Sequence, residues 1–568
     1  MEIDLIVKHA QVYNTFLKTF EQKTVAILEG KFFYIGQKEL EELTAKQVVD
    51  AEGKYMIPGL IDIHMHIESS MMPPSIFSKA GLAHGVTTVV ADAHEIANVF
   101  GMEGIQSFLE EKTEMDIFYA IPSSVPSTTT AMETTGGTVG LDEVRELLVS
   151  PQIIALGEAM NFKGIVSEPD SLIRQLLKET QQVDPFMPIE GHVPRVTGMD
   201  LAKFQFAGIT ADHTQQTPES IYEKISSGMF IELQKKSINK ENIDIIKKYG
   251  FYEYIALVTD DIIVDDLLEG HLNANVKEAI DCGISVEQAI YISTYTPARR
   301  MRFQDRGAIA AGLKADFMLL DDLNMLTISE VYKDGQLKHQ KGDPFDYPET
   351  KPVFPSHFYQ SIDCKKLEAE DLVIKVEGEK ALCNVIRIQE KGTFTEHVKR
   401  TIPIREGILD WESSGLALIL VMERYGKNGA IAFGLVENAL TEKGAIATTW
   451  AHDHHNLMVM GTSATDILRA QHKVLEMQGG YVVTREGNLT GCCPLPIGGI
   501  VTDAPIEETG KQLKEVRKAM NNLGYINTNE IMSFSTLSLP VSPILKITDQ
   551  GMFDVRTQVP IPLIEEIK

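Results

Sequence analysis

Hydrophobic and polar positions change their period along the chain. Residues 3–8, 23–28 and 31–36 alternate apolar with polar side chains and are broken by turn residues such as Glu29-Gly30-Lys31, so they predict short strands. A further strand precedes Pro58-Gly59. From Ile61 to about Asp261 the pattern becomes apolar run, polar loop and helical stretch, repeated many times. That alternation predicts a parallel sheet with crossover helices.

Eight apolar runs stand in this stretch: LIDIHMH (60–66), VTTVVADAH (86–94), MDIFYAIPS (115–123), QIIALGEAM (152–160), FMPIEGHV (186–193), GITADHT (208–214), GMFIEL (228–233) and YIALVTDD (254–261). Eight parallel strands with interleaved helices is the number that closes a (β/α)8 TIM-type barrel. An open doubly wound sheet would call for a glycine-rich phosphate loop, and no G-x-G-x-x-G follows the first strand.

A helical region from Asn273 to Arg302 follows, and GAIAAGLKADFMLLDD (307–322) returns to strand character. The stretch 339–358 is rich in proline, glycine and charge and reads as a linker. The expected class is therefore α/β, with four regions. Residues 1–57 with 305–345 form a small β domain from N-terminal and post-barrel strands, and 58–304 form the barrel. Residues 346–364 are the linker, and 365–568 form a C-terminal α+β domain. No internal repeat is convincing.

At 568 residues, two or three domains are expected on length alone. The net charge of −27 disfavours nucleic acid or an anionic membrane as a partner. It leaves open a single nucleobase, which carries no phosphate. The five cysteines (Cys282, Cys364, Cys383, Cys492 and Cys493) are odd in number and lack C-x-x-C spacing, which points to a reducing compartment. No signal peptide is read at the N-terminus, and no apolar run approaches the roughly 20 residues a membrane span needs. The expected location is the cytoplasm.

The chemistry lies in where polar residues fall on those runs. His64 and His66 end the first, Glu158 the fourth, His192 the fifth, His213 the sixth and Asp260 the eighth. Barrel enzymes place their chemistry at that C-terminal face. Side chains two apart in a strand share a side, so His64 and His66 can grip one ion. Four imidazoles and two carboxylates suit zinc, iron or manganese. They are too many for one ion with an open position, and two ions sharing a bridging carboxylate fit better. Singly, each residue has a plainer reading: polar packing for the His-x-His, a buried carboxylate for Glu158, a helix cap for Asp260. Only the joint pattern favours metal.

PGLIDIHMH, followed by the later ligands in order, resembles the amidohydrolase superfamily. Glu158, where many members use a carboxylated lysine, resembles the adenine deaminase branch. So do IESSMM (67–72), VTTVVADAHEIANVFG (86–101), GEAMNF (157–162), TDD with DLLEGH (259–271) and GAIAAGLKADF (307–317). AHDHHNLMVMGT (451–462), GGYVV (479–483) and PLPIGGIVTD (494–503) extend the likeness over nearly the whole chain.

The resemblance implies hydrolytic deamination of adenine to hypoxanthine and ammonia, in purine salvage; the size of the α/β chain adds the expectation of a homo-oligomer. It implies two divalent ions per chain, manganese first and iron or zinc as alternatives, held by His64, His66, Glu158, His192, His213 and Asp260. Asp260 would carry the proton between water and amine, with Glu158 beside it. Glu68, Asp92, His94, Glu95, Ser124, Asn161, Asp261 and His271 are expected to orient those ligands or touch substrate. The H-x-E and P-C-x-x-C pair of other zinc nucleobase deaminases is missing, which excludes that fold.

Gln234-Lys235-Lys236-Ser237 departs from the family's strand-7 motif, close to Arg-Glu-Gly-Ser. The alternatives are therefore a divergent or weak paralogue, an amidohydrolase of another heterocycle or cyclic amide, or an inactive barrel serving assembly. His452 to Asn456 are read first as a hydrogen-bonded turn, ahead of a second metal site or a part in a neighbouring active site. Cys492-Cys493 is read as packing rather than a redox pair.

Overall fold

A computed structural model of the chain describes residues 2–37, 43–345, 347–348 and 352–568. Positions 1, 38–42, 346 and 349–351, which fall in the expected N-terminal β region and linker, lie outside the described residues.

Eight parallel strands occur in chain order: β1 (Leu60–Met65), β2 (Val86–Asp92), β3 (Asp116–Ile121), β4 (Ile153–Ala159), β5 (Ile189–Gly191), β6 (Ala211–Asp212), β7 (Phe230–Leu233) and β8 (Ile255–Leu257). β1 to β5 pair consecutively, as do β6 to β8. Two seams join these arcs. The Thr210 amide donates to Ile189 O at 3.0 Å, linking β5 to the approach of β6. At the other seam the Asp260 amide donates to His64 O at 3.1 Å, and Met65 bridges Asp260 in parallel. The sheet thus curls until its first and last strands meet.

All residues of β1 and β2 are buried, which explains their near-continuous apolar runs. Each strand is shorter than its apolar run. β5 keeps three residues and β6 two, because the chain leaves the ladder before the polar positions. His66, His94, His192, His213 and Asp260 therefore lie just past their strands, whereas the sequence pattern had them within.

Tyr55–Pro58 pairs with both Glu2–Asn14 and Phe317–Asp322, so strands from before and after the barrel share one eight-stranded sheet. Arg306, Lys314 and Lys333 converge on Asp116 at the start of β3 and tie this sheet to the barrel. Beyond residue 380 a ten-stranded sheet carries the helices Ala464–Met477 and Ile506–Asn522.

This C-terminal region sits on the barrel mouth through specific contacts. The Thr134 amide donates to Asp549 Oδ1 at 2.9 Å, Lys427 Nζ to Thr135 O at 2.7 Å, and Arg517 Nε to Asp265 Oδ2 at 2.7 Å. The 128–137 loop that receives two of them is tightly built. A Cβ at Gly137 would lie 2.1 Å from Gly101 N, so only glycine permits that approach. No helix among the described residues is long and apolar enough to cross a membrane. All five cysteines are free, and Cys492 Sγ lies 3.1 Å from Met477 Sδ.

Candidate active site

The six side chains expected to hold metal converge at the C-terminal ends of the strands. Glu158 is central. Its Oε1 lies 3.3 Å from His66 Nε2, and its Oε2 lies 3.0 Å from His192 Nδ1 and 3.2 Å from His213 Nε2. Asp260 Oδ1 is 3.5 Å from His66 Nε2 and 3.8 Å from His64 Nε2. The His64 and His213 rings stack at 3.9 Å. Two triplets, His64–His66–Glu158 and Glu158–His192–His213, each bring three ligand atoms within 4.8 Å of one another.

Backbone and neighbours set these orientations. His66 Nδ1–H donates to Asp92 O at 3.0 Å, which leaves Nε2 as the free ring nitrogen facing Glu158 and Asp260. Asp92 Oδ2 accepts the Glu158 amide at 2.9 Å. Asp212 Oδ1 accepts the Val193 amide at 3.0 Å, and Asp212 itself precedes His213, so one carboxylate positions the chain beside both His192 and His213. Asp260 takes a left-handed backbone conformation (φ 60°), an uncommon one for a residue other than glycine and one concentrated at functional sites.

Burial opposes charge on Glu158, but the fields and hydrogen bonds of His213, His192 and His66 outweigh it and hold the carboxyl well below its usual range. Asp260 is governed in the same way. Burial raises it, and His213, His66 and Lys236 together pull it below the ordinary carboxylate range.

The remaining expected residues divide. Asp92, His94, Glu95 and Asp261 join the cluster, with His94 Nδ1 3.6 Å from Asp92 Oδ1 and 3.8 Å from Glu158 Oε1. Ser69 Oγ donates to Asp261 Oδ1 at 2.6 Å. Glu68 stands behind them: its Oε1 accepts the Ile96 amide at 3.0 Å, and burial pushes it up to about 7. Ser124 Oγ donates to Glu158 O at 3.0 Å, and Asn161 caps the helix Phe162–Ser167 while accepting from Gln558 Nε2 at 3.1 Å. His271 is not brought to the cluster. It packs edge-on against Phe77, ring centroids 5.5 Å apart, and burial holds it down at about 3.

Several residues of the mouth escaped the sequence reading. Glu232, in β7, is fully buried with its Oε2 3.6 Å from His64 Nδ1, and burial together with Glu190 pushes its carboxyl well up. A carboxylate inside the apolar run GMFIEL was the available signal. Asp62 accepts from Thr259 Oγ1 at 2.6 Å and locks β1 to the end of β8. The 452–456 turn is hydrogen-bonded, as the sequence suggested, but it also faces the site. His452 and Asp453 line the mouth cleft, and Glu95 contacts both His452 and His455. A sequence separation of more than 350 positions hid that approach.

The cleft opens to solvent at the barrel mouth. C-terminal residues Thr393, Phe394, Thr536 and Leu539 form one wall, and Gln234 and Lys236, just past β7, another. Gln234 Nε2 donates to His213 O at 3.0 Å, so this departure from the family motif supports a ligand residue. Phe394 carries the Arg195 guanidinium 4.4 Å from its ring centroid.

The ligand set suits divalent ions on two counts. Imidazole nitrogen and carboxylate oxygen are donors for zinc, iron and manganese, and the buried His64 Nε2 and His213 Nδ1 have no hydrogen-bond partner. Residues 55–339 match the family model described as the amidohydrolase family, and residues 392–559 match the one described as the adenine deaminase C-terminal domain. Over 569 residues the chain is 53% identical to adenine deaminase 2 of Oenococcus oeni, covering 99% of each. It is 50% identical to the adenine deaminase of Clostridium perfringens, covering 98% of each. With the adenine deaminase of Lactobacillus delbrueckii subsp. bulgaricus the identity is 49%, over 99% of this chain and 100% of that one.

Proposed function

The chain belongs to the adenine deaminase family of amidohydrolases, and we propose that the cleft at the barrel mouth is where it converts adenine and water to hypoxanthine and ammonia. The observation that carries the assignment of the site is Glu158, whose two oxygens face His66 on one side and His192 with His213 on the other. A carboxylate so placed suits a bridging role between two ions. His64, His66 and Asp260 would complete one site, and His192 and His213 the other. Manganese is the proposed metal, with iron or zinc tolerated by the same donors.

When bound, the ions supply Lewis acidity that brings the pKa of water from about 15.7 toward about 7. The protein's own groups do the rest. Asp260, anionic and facing both His64 and His66, takes one proton as water adds to C6 and returns it to the departing amine, while the second water proton ends on N1 as the C6 hydroxyl becomes the carbonyl. The ring nitrogens of His66 stay fixed because its Nδ1–H is committed to Asp92 O. Phe394, backed by Arg195, offers an aromatic face on which a purine can stack. Thr393, Phe394, Thr536 and Leu539 supply the wall against which the ring would lie. A cytoplasmic purine-salvage enzyme accords with five unpaired cysteines and a small uncharged substrate.

The test is Asp260→Asn, assayed by the ultraviolet change from adenine to hypoxanthine on protein grown with manganese. Turnover should fall by about 10²–10⁴-fold, the range for a lost general base. Retention of more than a tenth of wild-type kcat in the variant would remove Asp260 from its assigned role.

A further inference from the structure

Beside the proposed deamination centre stands a second set of ligand-type side chains, reaching from two parts of the chain. Glu95 begins the helix His94–Leu109 at the end of β2, and His452, Asp453 and His455 lie on the turn from the C-terminal region. All of them, with His94, are 3% exposed or less. Glu95 contacts His452 Nδ1 through one oxygen and His455 Nε2 through the other. His94 Nε2 lies 3.5 Å from Glu95 Oε1 and 3.9 Å from Asp453 Oδ2, and His452 Nδ1 lies 3.5 Å from Asp453 Oδ1.

The contacts within this set are to imidazole nitrogens. At both Glu95 oxygens and at both His455 ring nitrogens they lack the geometry of a hydrogen bond. Buried carboxylates need a compensating cation. Among the described residues no lysine or arginine pairs with Glu95 or Asp453, and histidines, His452 foremost, are the cationic groups that face them.

The turn is also held from behind, as a ligand-bearing loop requires. The buried Arg424 donates to His455 O, to Ser361 O at 3.0 Å and to Gly498 O at 2.7 Å. Tyr425 OH donates to His454 O at 2.6 Å, and Asn456 Nδ2 donates to Thr134 O at 2.8 Å. Successive histidines on a turn cannot all face one ion, and His454 is the one turned away: its Nδ1 accepts the Asn456 amide at 3.0 Å.

We propose that Glu95, His452 and His455, with His94 and Asp453 at the rim, form a third divalent-cation site that fastens the C-terminal region onto the barrel mouth. His94 stands between the two centres, with Nδ1 toward Asp92 and Glu158 and Nε2 toward Glu95 and Asp453. Nitrogen and oxygen donors of this kind take manganese, iron or zinc. The site goes beyond the deamination centre, since its main ligands come from another strand end and another region of the chain.

The experiment counts metals in full-length protein grown with manganese, desalted and analysed for all first-row metals. We expect three equivalents in the wild type and two in Glu95→Gln and in His455→Gln, with apparent Tm no longer raised by the third equivalent in either variant. Asp260→Asn reads the neighbouring centre separately, so a fault in that reading leaves the Glu95-dependent equivalent in place. Should the variants fold poorly, an anomalous map of wild-type crystals at the manganese edge decides, with a peak expected between Glu95, His452 and His455. A wild-type count unchanged by both substitutions, or an anomalous map empty at that position, overturns the proposal.

Discussion

Lys224→Met removes the cation paired with Asp212, the carboxylate that braces the two chain segments carrying the proposed ligands His192 and His213. Lys224 is 1% exposed, Asp212 is fully buried, and Lys224 Nζ donates to Asp212 Oδ2 at 2.5 Å and to Val193 O at 3.1 Å. Methionine keeps the volume and removes the charge, which leaves a buried carboxylate without its cation. Removing one partner of such a pair costs ~3–5 kcal/mol. Protonation of Asp212 limits the loss: raising a carboxyl from its ordinary 3.8 costs at most ~4 kcal/mol at pH 7 and ~2 kcal/mol at pH 5. The variant should therefore melt roughly 6–16 °C below wild type at pH 7 by scanning fluorimetry, with a smaller gap at pH 5. Adenine turnover should fall too, because the Asp212 bond to the Val193 amide sets the chain beside His192. Asp212→Asn combined with Lys224→Met should recover most of the loss, since the amide oxygen can still accept from Val193 and Thr214. A single variant within ~1 kcal/mol of wild type, or a gap that does not narrow at pH 5, would refute the reasoning.

Two further substitutions test other parts of the argument. Burial raises Asp116, but Lys333, Arg306 and Lys314 outweigh it and bring its carboxyl down to about 2. Its folded value lies below the unfolded one, so the stabilisation is present above about pH 4 and is lost as pH falls toward 2. Asp116→Asn should therefore cost ~2 kcal/mol or more at pH 7 in urea denaturation, with the difference from wild type shrinking below pH 4; a constant difference would count against the pairing. Phe394→Ala should raise KM for adenine by about 5–100-fold, a loss of ~1–3 kcal/mol of base stacking, with kcat changed far less. An unchanged KM would move the purine off that face.

How much could be read in advance differed by feature. The eight apolar runs and their order were legible because a strand buried on both faces must be apolar nearly throughout. Their lengths were not. β5 and β6 shrink to Ile189–Gly191 and Ala211–Asp212 because the chain turns out of the ladder where His192 and His213 must project, and local composition does not mark that turn. His271 shared a motif with Asp260 and still packs against Phe77, since nearness in sequence does not fix the side on which a helix cap points. Glu232 went unread because one carboxylate in an apolar strand has no periodic signature.

The sequence by itself determined the order of strands, the residue types at their polar ends and, through motifs spread over the chain, the family. Those properties rest on local periodicity and on chemistry that tolerates few substitutes. Only the tertiary structure decided which side chains meet. Glu95 and His455 lie 360 positions apart, and they touch because Arg424, Tyr425 and Asn456 brace one turn against the barrel mouth. Contacts of that kind come from packing between distant surfaces, which no window along the chain contains.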